Sequence, residues 1–283
     1  MIFECVINVS QGRDEKLLDT LADKFSPILL DVHRDHDHHR SVFTFGSRNL
    51  DLLVSTIKRF VEMTYGNSTY AEHNGVHPNF GFIDVVPFVS YDQTNRFPTD
   101  ETIMAAIKFG EWINKYFDVD VSYYEQASKD DISLPQLRKN LKSNSRPDIF
   151  SKKSGSEFGQ VCVGARQPLI AINVNLETGD RSLAKKIAKD IRESSGGIKN
   201  VRALSFDLKS QDKTQVSMNI IDAYETNVGC VALKIKEMAS LNGVNSEVEL
   251  VGLVPNFQFQ QWSRDFLAWS NLDESVIIEN KLS

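Results

Sequence analysis

All six histidines of the chain fall within its first 77 residues: His33, His36, His38, His39, His73 and His77. Imidazole is the side chain whose ordinary pKa lies nearest neutral pH, so it can move protons or, unprotonated, ligate a metal. Four of the six occur in DVHRDHDHHR, where carboxylates alternate with them in a mixture that suits zinc, iron or nickel. The fixed pair spacings of structural metal sites are absent, and the segment joins two apolar runs. A polar, solvated hairpin turn accounts for the same residues, as does a surface for an anionic substrate. Of the three readings the turn is favoured, and no metal is expected.

HNGVHPNFGFIDVVPF is the more informative segment. Gly75, Pro78 and Gly81 punctuate a tight loop that runs directly into a strand, and such a loop can hold His77 at a fixed geometry for proton transfer. The same pattern also fits a histidine that only bonds its own turn. In GQVCVGARQPLIAINVNL, Gly159 and Gly164 would allow a ligand close to the backbone, and Arg166 could grip a carboxylate with two prongs. A bend before a strand would look alike. ESSGG is a helix ending without the spacing of a dinucleotide fingerprint.

Elements must position these groups. FECVINV alternates as a strand, GRDEKLLDTLADKF carries a helical stripe, ILLDV and SVFTFG are short strands, NLDLLVSTIKRFVEMTYG is a helix and IDVVPFVSY a strand. Pro87 places that last strand at a sheet edge or a bulge. The order β-α-β-β-α-β is the ferredoxin-like split unit. TDETIMAAIKFGEWINKYF is a helix capped by Thr99, and VDVSYYEQA an extra strand on the same sheet. From Ser128 to Gly159 a polar, Pro-containing stretch holds a short helix near Leu134 to Leu141 and connects two halves. LIAINVNL, the helix closed by Gly196 and Gly197, VRALSFDL, TQVSMNII, TNVGCVALKIKEMASLNG and EVELVGLVP then repeat the topology. The predicted fold class is α+β, with two ferredoxin-like (βαββαβ) subdomains at 1–158 and 159–283 and a ligand cleft between their sheets. Trp262, Phe266 and Trp269 are expected on the outside of the second half or at a subunit contact.

With 283 residues, 41% of them hydrophobic and 25% charged, the chain can bury a core without disulfides or metal. A net charge of −6 and no Lys/Arg run argue against nucleic acid. Cys5, Cys162 and Cys230 lack metal-type spacing and suit a reducing compartment. No signal-peptide pattern and no apolar run of about 18 residues occur, so a cytoplasmic protein without a membrane segment is expected.

ECVINVSQGRD, LLDVHRDHDHHRSVFTF, NGVHPNFGFIDVVPFV, VGARQPLIAINVNLET, AKKIAKDIRESSGG, QVSMN and EVELVGLVP, in that order, resemble the formiminotransferase domain of glutamate formimidoyltransferases. The similarity runs from about Phe3 to Pro255. It implies a transfer of a formimino group from N-formimino-L-glutamate to N5 of tetrahydrofolate. Tetrahydrofolate would be a co-substrate, the only partners small molecules, and the assembly a homodimer. His77 matches the family's catalytic histidine. Arg40 and Arg166 are implied as carboxylate anchors, Asp84 as a support of the catalytic loop, and Phe150 to Gly159 as the folate loop, with His33 and His38 candidates for catalytic support. Departures accompany the match. His33 stands for the family's second Asp and His39 for its Asn, and Val76, Asn79 and Phe80 replace Glu, Arg and Met in G-E-H-P-R-M-G. An acid and an anion-gripping arginine are therefore expected to be missing beside the loop. Formyl transfer between folate and glutamate, or folate binding without catalysis, are the alternatives. With the sequence ending at Ser283, no cyclodeaminase domain is expected.

Overall fold

The computed structural model describes residues 1–68, 74–143, 146–152 and 157–282. His73 and positions 153–156 of the expected folate loop lie outside the described residues. In the first unit, Met1–Gln167, the order is β1 (Ile2–Val9), α1 (Glu15–Lys24), β2 (Leu29–Asp35), β3 (Arg40–Ser47), α2 (Leu50–Gly66) and β4 (Ile83–Tyr91). The helices start where a side chain accepts an otherwise orphaned amide. Asp14, Asn49 and Thr99 cap α1, α2 and α3 (Asp100–Phe117) through Leu17, Leu52 and Thr102. The four strands pair antiparallel as β2-β3-β1-β4, the ferredoxin-like arrangement.

Beyond α3 come β5 (Asp120–Glu125), the expected extra strand, and α4 (Leu134–Lys142). A further strand, β6 (Gln160–Arg166), inserts between β4 and β5 and pairs parallel to both, completing the six-stranded order β2-β3-β1-β4-β6-β5. This strand belongs to the first unit, whereas the sequence pattern places the segment in the second half and outside any strand. The first unit thus runs to Gln167, past the expected division at 158.

Side-chain alternation divides this sheet into two faces. Phe3, Cys5, Ile7 and Val9 of β1 and Phe43 and Phe45 of β3 join α2 and α3 in the main core. Phe60 sits among Phe25, Phe43 and Phe45 at ring separations of 5.5, 4.8 and 5.0 Å. On the opposite face Val85, Tyr124 and Cys162 form a smaller cluster with Leu137 of α4.

The position expected for Pro87 needs correcting. β4 is not an edge, since β1 and β6 flank it. Its ladder to β1 passes from Cys5–Phe88 to Asn8–Val85 with no pair at Pro87, then shifts register before Val9–Ile83. The bulge lies upstream of the proline, and it has a use. Ile83 stays in the main core and Val85 joins the α4 cluster, while Asp84 between them reaches Arg138 of α4.

The second unit, Pro168–Lys281, has β7 (Ile170–Leu176), α5 (Arg181–Ile191), β8 (Val201–Leu208), β9 (Lys213–Ile220), α6 (Val228–Ser240) and β10 (Ser246–Val251). Its sheet order, β10-β7-β9-β8, repeats the pattern of the first four strands. The chain is therefore α+β with two ferredoxin-like units, as predicted. Trp262 and Phe266 do not pack on the outside. They are buried in the second core, where α7 (Asn256–Phe259) and α8 (Arg264–Ser270) fold the tail back over α6. No helix among the described residues is long and apolar enough to cross a membrane.

Candidate active site

His77 lies on the loop between α2 and β4, and hydrogen bonds fix that loop on several sides. Val76 N–H donates to the Asp37 carbonyl at 3.1 Å, joining the loop to the β2–β3 turn. Phe80 N–H donates to Asp84 Oδ1 at 2.9 Å. Asn79 Nδ2 donates to Ser10 Oγ at 3.2 Å, and that hydroxyl donates to the Gly81 carbonyl at 2.7 Å. Phe82 N–H donates to the Phe158 carbonyl and Gln160 N–H to the Phe80 carbonyl, both at 2.9 Å.

That last pair brackets Gly159, whose φ of +74° and crowding both demand glycine. A Cβ there would stand 2.4 Å from the Phe80 carbonyl oxygen. Gly159 thus serves the His77 loop from behind. Gly159→Ala is expected to cost more than about 1 kcal/mol, because its native conformation is incompatible with a side chain. Thermal unfolding tests this, and an unchanged Tm would refute it.

Three charged side chains from three elements meet under the loop. Asp84, on β4, is fully buried. Its Oδ2 accepts Nη1 of Arg40, the first residue of β3, at 2.8 Å, and Nη2 of Arg138 from α4 at 2.5 Å. Arg40 is buried too, with Nε donating to Asn8 Oδ1 at 2.9 Å. Arg138 donates through Nη1 to the Pro78 carbonyl at 3.1 Å, and its guanidinium lies 5.8 Å from the Phe80 ring centroid. Two guanidinium groups on one carboxylate leave one surplus positive charge. Such a charge in a partly desolvated place favours an anionic ligand.

His77 is half-buried in this setting, with Nδ1 3.1 Å from Arg40 Nη1 and 2.8 Å from the Pro78 carbonyl. Loss of hydration, then the charges of Arg40, Arg138 and His38, push its pKa well below the ordinary 6.5, against a small upward pull from Pro78. The ring is neutral at physiological pH. The His38 ring centroid is 6.0 Å away. His38 is buried, and its Nδ1 lies 2.6 Å from Asp35 Oδ2. Burial raises the Asp35 pKa, but the side-chain and backbone bonds to His38 outweigh it and the net direction is down. The β2–β3 turn is accordingly packed more tightly than a solvated hairpin, with His39 Nδ1 accepting Gly12 N–H at 3.1 Å.

The family model for the formiminotransferase domain, N-terminal subdomain, matches residues 2–166, and that for the formiminotransferase domain matches 171–281. The chain is 30% identical over 301 residues to glutamate formimidoyltransferase of Thermoplasma acidophilum, covering 99% of this chain and 97% of that protein. The Streptococcus pyogenes serotype M1 enzyme of the same name is 31% identical over 298 residues, covering 99% and 98%. Formimidoyltransferase-cyclodeaminase of Sus scrofa is 30% identical over 278 residues, which are 90% of this chain and 50% of that one. The chain belongs to the formiminotransferase family.

Asn79 brings no guanidinium to the loop, but two come to it from elsewhere. Arg138 reaches the same loop from a helix that the sequence reading left without a role, and Arg40 reaches it from β3. Nothing local in LPQLRKN marks Arg138, because the contact spans 60 residues to Pro78. Asn8 and Ser10 were missed for the same reason. His38 pairs with Asp35, while His33 sits half-buried on β2 opposite Val42 and contributes a smaller downward pull on the Asp35 pKa than His38 does.

The other candidates stand apart from His77. Gly164 pairs between Pro87 and Tyr124, and the Tyr124 ring fills the space its side chain would take, within 2.3 Å of a built Cβ. It is a packing position rather than a ligand surface. Arg166 pairs with Val89, five residues along β4 from Asp84, about 16 Å at the rise of a strand. Its Nη1 bonds the neighbouring Gln167 carbonyl at 2.9 Å. Phe150 is 56% exposed and follows Ile149, which bridges to Val121 on β5, level with Asp84 but two strands across, about 10 Å.

Proposed function

We propose that this chain moves a formimino group from N-formimino-L-glutamate to N5 of tetrahydrofolate, with His77 as general base and then general acid. The observation that carries it is the neutral imidazole of His77, set against the Arg40 guanidinium, which shares buried Asp84 with Arg138. Membership of the family supplies the reaction class.

As N5 attacks the amidine carbon, the N5–H proton passes to the imidazole and a tetrahedral centre forms. The bond from that carbon to the glutamate nitrogen then breaks, and the proton goes to that nitrogen. The ring returns to its neutral state, so protons balance over the cycle. A depressed pKa weakens the ring as a base but makes the imidazolium a stronger acid toward the departing nitrogen. The surplus positive charge of Arg40 and Arg138 suits the carboxylates of glutamate. Exposed Phe150 offers an aromatic face within reach of a ligand as long as tetrahydrofolate.

Purified protein with both substrates should form 5-formiminotetrahydrofolate, followed by absorbance. Folate binding with no formimino transfer, or transfer from N-formyl-glutamate alone, would sink this reading. The pH dependence is a second check. Protonating His77 removes the base, and its pKa is lowered, so kcat/KM should hold through pH 6.5 and fall only at lower pH. An acid limb centred at or above 6.5 contradicts it.

A further inference from the structure

We propose that Arg138 is the positioning residue of this site: its fork on Asp84 and the Pro78 carbonyl keeps His77 an uncharged base with its lone pair on Nε2. The inference rests on the reading of His77 as the acid–base group and names what sets its state.

Among the described residues, charged groups approach His77 from several elements. Arg40 approaches from β3, Arg138 from α4, His38 from the β2–β3 turn with Asp35 behind it, and Asp84 from β4 beneath both arginines. Asp84 takes bonds from Arg40, Arg138 and the Phe80 amide, and its single negative charge neutralises one guanidinium and not two. Arg138 is thus the charge that tips the pocket positive and opposes a second proton on the imidazole.

The tautomer follows from the same fork. Two contacts compete for Nδ1, and they require opposite states. Arg40 Nη1, at 3.1 Å, can donate only to a bare Nδ1, which would leave the proton on Nε2. The Pro78 carbonyl, at 2.8 Å, can accept only from Nδ1–H, which puts the ring's lone pair on Nε2. Arg138 Nη1 donates to that same carbonyl oxygen and so fixes where it points. Its backbone is anchored in turn, because neighbouring Leu137 is buried with Val85, Tyr124 and Cys162.

The test compares Arg138→Gln, which removes the charge, with Arg138→Lys, which keeps the charge and loses the fork. Arg138→Gln should move the acid limb of kcat/KM upward by about 1 pH unit. Arg138→Lys should leave the limb in place and lower kcat by about 10-fold or more with KM little changed, because only the carbonyl's hold is lost. A folded Arg138→Gln protein whose limb coincides with wild type overturns the proposal. Should Arg138→Gln not fold, or wild type show no turnover, 15N NMR of histidine-labelled wild type decides. The His77 signal, identified by its loss in His77→Gln, must report neutral Nδ1–H at pH 6. An Nε2–H signal overturns the positioning role. An Nδ1–H signal in wild type that gives way to Nε2–H in Arg138→Lys, without turnover, upholds that role and refutes formimino transfer, so the two failures are distinct.

Discussion

His77→Gln should lower kcat by about 10²–10⁴-fold, the range for removing a positioned acid–base group, and leave the fold standing. Glutamine keeps a polar group near Arg40 Nη1 and the Pro78 carbonyl, but it cannot take up and return a proton. The side chain is half-buried on a loop, and its bonds to protein are neighbourly rather than structural, since Arg40 retains Asn8 and Asp84 without it. Stability should change by no more than about 1 kcal/mol. Single-turnover rates with preloaded tetrahydrofolate, measured beside thermal unfolding, read both quantities. A loss under 10-fold would remove His77 from the chemistry, and a large fall in Tm would recast it as a structural residue.

Asp84→Asn should act the other way round, on stability first. The carboxylate is fully buried and takes a guanidinium from each of two elements. Its neutralisation leaves Arg40 and Arg138 facing each other without an anion. Breaking a buried ion pair at one partner typically costs about 3–5 kcal/mol, because the stranded charge remains desolvated. Here two charges are stranded. Denaturant titration should show the loss, and adding Arg138→Met to Asp84→Asn should recover part of it. A cost under about 1 kcal/mol would mean that Asp84 does not hold the pair together.

Strands and helices with a clear period were legible in the sequence, down to the cap at Thr99 that the structure shows in use. β6 was not. GQVCVGAR is short, apolar on both faces and free of alternation, which is how a strand looks when parallel neighbours bury it on either side. Pro87 misled for a related reason. It usually marks an edge, but here the ladder skips it and the bulge falls a few residues earlier. At the site, His77, Arg40 and Asp84 could be named because motif wording carried them, and the structure brings those three together. Arg138 had no wording. Its place follows only from α4 folding across the sheet face behind Asp84, a fact of tertiary packing with no local trace.

The late strand β6 also dictates an order of assembly. Val85 pairs with Cys162, which arrives 77 positions later on the ribosome, and the Phe158 carbonyl and Gln160 amide that clamp the His77 loop come from the same stretch. The four-stranded part can pair as soon as β4 has emerged, whereas the reactive loop must wait for a long-range, parallel closure of the kind that forms slowly. A nascent chain halted just before Gly159 should therefore hold a ferredoxin-like sheet while His77 remains open to hydrogen exchange and to protease.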